Sequence, residues 1–75
     1  MTWKVIRNEE KEIIRRELTP NIYIDRRCCG SFRADYWDNV LVIDGEDRLY
    51  ANTYTGYTVK DLKEMGEKHM AKIEY

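Results

Sequence analysis

The stretch from Trp37 to Thr55 constrains the fold most. Val40–Asp44 (VLVID) and Arg48–Thr55 (RLYANTYT) are runs of β-branched, aliphatic and aromatic residues around Gly45-Glu46-Asp47. That pattern predicts an antiparallel hairpin, which must bury its apolar side against a second layer. Setting Ile43 opposite Arg48 places Val42 opposite Leu49, Val40 opposite Ala51 and Leu41 opposite Tyr50, with Trp37 approaching Tyr54. A shifted register that sets Asp47 opposite Val42 mixes polar with apolar, so the first register is the expectation. It makes Val40, Val42, Leu49 and Ala51 a slim aliphatic face for a helix. Trp37, Leu41, Ile43, Tyr50 and Tyr54 then lie on the other face, among Asn39, Arg48 and Asn52.

The helix for that slim face follows. Thr58-Val59-Lys60-Asp61 reads as a capping box with Asp in place of Glu. Val59, Leu62, Met65, Met70 and Ile73 make a stripe of helical spacing beyond it. Gly66 interrupts this helix at a cost of about 1 kcal/mol relative to Ala, and a close approach to the sheet would account for it.

Upstream, Asn21–Cys29 reads as a strand with Ile22 and Ile24 on one side and Tyr23, Asp25 and Arg27 on the other. Gly30-Ser31 suggests a turn or bulge. Asn8 is in place to cap a helix running through Leu18, with Glu9, Glu10 and Glu12 at its start and Pro20 ending it. Thr2–Arg7 is half strand-like and is read either as a strand or as an extension of that helix. The expected architecture is a single α+β domain over residues 1–75. It is a small two-layer sandwich: a mostly antiparallel three- to four-stranded sheet with an N-terminal and a C-terminal helix.

Charge bears on function. The 75 residues carry 13 Lys and Arg against 14 Asp and Glu, a net −1, whereas non-specific nucleic-acid binders carry a clear basic excess. No apolar run approaches the roughly 20 residues that span a bilayer, and "MTWKVIRNEEKEII" has neither a signal-peptide nor a transit pattern. A cytoplasmic protein without a membrane partner is expected.

The chemistry-bearing residues assemble no catalytic or metal pattern. Cys28 and Cys29 are adjacent, too close for an ordinary disulfide and pointing to opposite strand faces, whereas zinc cysteines are spaced to converge on one ion. His69 is remote in sequence, and a Cys–His nucleophile needs the two within about 3 Å. Asp44-Gly45-Glu46-Asp47 is too short for a calcium loop. Thr53–Thr58 lacks the Gly-Lys-Ser/Thr ending of a phosphate loop and reads as a strand end leading into the helix cap. Neither an enzymatic activity nor a cofactor is expected.

What remains is contact chemistry. Tyr, Trp and Arg are enriched at binding hot spots, which makes Arg27, Trp37, Arg48, Tyr50 and Tyr54 the candidate contact residues. The expectation is a non-catalytic interaction module, a regulator, inhibitor or accessory protein, presenting these residues to another protein. Two alternatives rank behind it. One is a nucleic-acid-binding module using Arg26, Arg27 and Arg33 beside Phe32, Tyr36 and Trp37. The other is a homodimer whose aromatic face is its own interface.

Overall fold

A computed structural model of the chain describes residues 2–28 and 37–73, leaving out the side chains of Cys28, Trp37 and Ile73. Five strands and one helix follow in order: β1 (Lys4–Arg7), β2 (Ile13–Thr19), β3 (Ile22–Cys28), β4 (Trp37–Ile43), β5 (Glu46–Ala51) and α1 (Val59–Ile73). The strands form one antiparallel meander, β1-β2-β3-β4-β5. The class is α+β. The three- to four-stranded sheet expected is five-stranded, and the N-terminal helix is absent; the proposed Gly30-Ser31 turn lies outside the described residues.

The segment expected to be a helix is a turn and a strand. The Asn8 side chain caps a tight turn, its Oδ1 accepting from the backbone N–H groups of Glu10 and Glu12 at 2.9 and 3.0 Å. Lys11 sits there at a left-handed φ of 65°, which ends any helix at that point. Ile13, Arg15 and Glu17 then alternate with Ile14, Arg16 and Leu18. A lone helix of this length is marginal in water, while pairing with β1 and β3 satisfies the β2 backbone on both edges. Thr2–Arg7 resolves into β1.

In the β4–β5 hairpin, the loop is Asp44-Gly45, two residues with φ of 52° and 81°. Such a pair forms the primed turn that matches strand twist, and it pairs Ile43 with Glu46. Val42 is therefore opposite Asp47, the pairing set aside in the sequence reading. Arg48 is the extra residue of a bulge, beyond which Leu41 pairs with Leu49, Val40 with Tyr50 and Asn39 with Ala51.

This corrects the faces. Paired residues share a side of the sheet, so Leu41 and Ile43 join Ile22, Ile24, Leu49 and Ala51. These pack with Leu62 of α1 into the core, edged by Trp3, Leu18, Val59 and Met70. Val40 and Val42, expected beneath the helix, occupy the opposite side yet are also fully buried. Strand β4 is thus sealed on both faces, which is what a continuous apolar run allows.

Helix α1 begins as expected. The Asp61 carboxylate accepts from the Thr58 N–H at 2.8 Å and the Thr58 hydroxyl at 3.1 Å. Its inward stripe, however, is Val59, Leu62, Gly66 and Met70, while Met65 is 43 % exposed. A Cβ on Gly66 would lie 2.9 Å from Trp3 Cη2 and 3.2 Å from Ile22 Cγ2, so the close approach is real. Trp3 is held there by donating its indole N–H to Glu67 at 2.8 Å. No described helix is long and apolar enough to cross a membrane.

Candidate functional site

The side of the sheet away from α1 carries a connected polar layer. Strand β3 places Tyr23, Asp25 and Arg27 there by alternation; β2 adds Arg15, which pairs with Asp25, and β5 adds Tyr50 and Asp47, which pair with Val40 and Val42. The Arg15 guanidinium donates to Asp25 through Nε at 2.7 Å and Nη2 at 3.4 Å, and it lies 3.9 Å from the centroid of the Tyr23 ring. Asp25 also faces Arg27 at 3.6 Å. Arg27 reaches back along the sheet to donate to Asp47 Oδ2 at 2.7 Å, and the Tyr50 hydroxyl donates to the same oxygen at 2.9 Å.

The row Arg15–Asp25–Arg27–Asp47 alternates in sign and sums to zero. Val40 and Val42 lie under it, flanked by Asp25, Tyr50, Tyr23 and Asp47, and both are fully buried. The layer itself stays accessible: Arg27 side chain 41 %, Asp47 side chain 35 % and Tyr50 39 % exposed. No described element packs across it, because the α1 contacts to β3, β4 and β5 use the other side.

The electrostatics follow the bonds. Asp47 titrates below the ordinary aspartate range, first because Arg27 donates to it and then because Tyr50 does. Tyr50 is raised, chiefly because its hydroxyl proton is engaged by Asp47. Arg27 and Arg15 are raised by their bonds to Asp47 and Asp25 respectively.

Of the five contact residues expected from sequence, Arg27 and Tyr50 meet on Asp47. Arg48, the bulge residue, lines a groove beside α1 with Met65 and Lys68 and pairs loosely with Glu46 at 3.5 Å. Tyr54 is 87 % exposed, in the turn after β5 where Asn52 Oδ1 accepts from the Tyr54 and Thr55 N–H groups at 2.8 Å. The Trp37 side chain lies outside the described residues, as do Cys29, Phe32, Arg33 and Tyr36. Arg26 and Arg27, neighbours on β3, point to opposite faces; Arg26 donates to Glu12 at 3.3 Å.

Sequence reasoning missed Arg15, Asp25 and Asp47 as members of the site. Asp47 had a signal: Asp44-Gly45 is the strongest short hairpin code, and honouring it sets Asp47 beside Val42. Arg15 had none, since it was placed on a helix.

Among the described residues, no group of three His, Cys, Asp or Glu side chains is placed to hold a metal ion. The chain matches no protein-family model, no curated protein and no solved structure.

Proposed function

We propose that the protein is a small non-catalytic interaction module whose contact surface is the sheet face away from α1, centred on Arg27, Asp47 and Tyr50. One observation carries this reading. Two side chains of hot-spot type are fixed by a shared carboxylate on an accessible face, over valines that are already sealed. Side chains held in place before binding lose less conformational freedom when a partner arrives. Their pairing within the chain leaves the row without net charge, and the register puts the carboxylates of Glu17 and Asp38 on the same side, so the face suits another protein better than a polyanion.

The test is a pull-down from native lysate with wild type, Arg27→Ala and Tyr50→Ala side by side. All three should fold alike by circular dichroism, since both residues are solvent-accessible. A protein captured by wild type and lost from both variants supports the reading. Equal capture by all three overturns it. Light scattering on the isolated chain decides whether the partner is a second copy: a dimer dissociated by Tyr50→Ala would make the face a self-interface.

A further inference from the structure

A second surface lies on the other side of the molecule, where the β5 bulge meets the last turns of α1. Arg48, Ile43, Met65, Lys68, His69 and Lys72 line a groove of about 270 Å³ there. It needs only that the chain be folded, and it owes nothing to the sheet face.

Three features set it apart from an ordinary solvated helix flank. First, Arg48 is the extra residue of a bulge, a device that re-aims a side chain, and here it is turned toward α1. Second, Lys68 and Lys72 are four residues apart on one helix, where like charges repel. Neither has an acidic partner among the ion pairs of the described residues, and Arg48 has only Glu46, at 3.5 Å and 72 % exposed. Third, the groove has an apolar component: Ile43 is buried at its base, and Met65 is 43 % exposed beside the cations. The negative end of the helix dipole explains a cation at Lys72, but it explains neither Arg48 nor the exposed Met65. Concentrated positive charge around an aliphatic and thioether floor is complementary to carboxylates flanking an apolar side chain. The groove is lined by no Phe, Tyr or Trp, and the His69 imidazole is the one ring among its lining residues, whereas single-stranded nucleic-acid platforms stack successive bases on several aromatic rings.

We infer that this groove binds a short acidic–apolar peptide segment of another protein. The probe is a capped, fluorescently labelled peptide alternating glutamate with leucine, followed by anisotropy, with glutamine replacing glutamate in a control peptide. The glutamate peptide should bind and the glutamine peptide should not. Affinity should fall as salt is raised, because exposed charges are screened. Lys68→Glu combined with Lys72→Glu should weaken binding by about tenfold or more, through lost attraction and added repulsion. Met65→Gln should weaken it at constant charge. The Arg27→Ala and Tyr50→Ala variants should bind the peptide as wild type does, so the two surfaces stand or fall separately. Equal binding of the two peptides, an unchanged affinity in the Lys68/Lys72 variant, or tighter binding of a single-stranded oligonucleotide at the same groove would overturn the assignment.

Discussion

At the scale of single residues, Asp47 and Gly66 each sit where two other side chains meet. Asp47 is the acceptor that Arg27 and Tyr50 share. Its carboxyl is depressed in the folded chain, so its contribution to stability is complete above the ordinary unfolded aspartate value. That contribution is lost as pH falls through the lower folded value. A carbon-detected NMR titration should place the Asp47 midpoint below the ordinary range, and Arg27→Ala should move it upward. An unmoved midpoint would mean that the Arg27 bond is not formed in solution. Gly66 is the converse case, a residue defined by the side chain it lacks. Gly66→Ala gains about 1 kcal/mol of helix propensity but forces a methyl group against a Trp3 ring anchored by Glu67, and overpacking typically costs about 1–3 kcal/mol. Thermal unfolding should show a net loss, and Trp3→Leu in the same chain should relieve much of it. The sequence offered a close approach at Gly66 as one option beside no role at all, and the structure decides for the approach. The role of Trp3 was not legible there, because its partner is 64 positions away.

At the scale of elements, sequence and structure agree where local code and tertiary pairing point the same way. Strand β3 and helix α1 are such cases: alternation in Ile22–Cys28, and a capping box followed by an apolar stripe. Thr58→Ala should therefore lower stability by about 1 kcal/mol, and Leu62→Ala, at the fully buried centre of the core, by about 2–5 kcal/mol. Denaturant titration separates the two. Comparable losses would mean that Leu62 is not the pivot between helix and sheet. They disagree at β2, where Asn8, the glutamates and Pro20 satisfy helix signals that the β1 and β3 edges override. They disagree again at the β4–β5 hairpin, where a bulge at Arg48 shifts the pairing by one residue. An extra residue leaves no periodic trace in an apolar–polar pattern, so a reading based on alternation turned β4 over. The candidate site inherited that error in part: Tyr50 and Arg27 were found, Leu41 and Ile43 were assigned to the wrong side, and Asp47 was passed over.

At the scale of the whole molecule, the meander gives the sheet two unlike sides. One is covered by α1 and holds nearly all of the core; the other carries the buried Val40 and Val42 beneath an accessible charged row, with no described element packed across it. Each strand pairs with its neighbour in sequence, so the sheet's own pairings are local, which favours fast sheet formation, while the Trp3–Glu67 bond joins the two ends of the chain. The two candidate surfaces lie on opposite sides and differ in charge, internally paired along the sheet-face row and positive in the groove. Salt should weaken groove binding strongly and sheet-face binding little. The most direct measurement is an NMR experiment on isotope-labelled protein mixed with unlabelled native lysate, following which side-chain and amide signals broaden. The account predicts losses on the sheet-face set Arg15, Tyr23, Arg27, Asp47 and Tyr50, separate from any in the groove, and that Tyr50→Ala abolishes those on the sheet face. Broadening confined to α1, or undiminished in Tyr50→Ala, would contradict it.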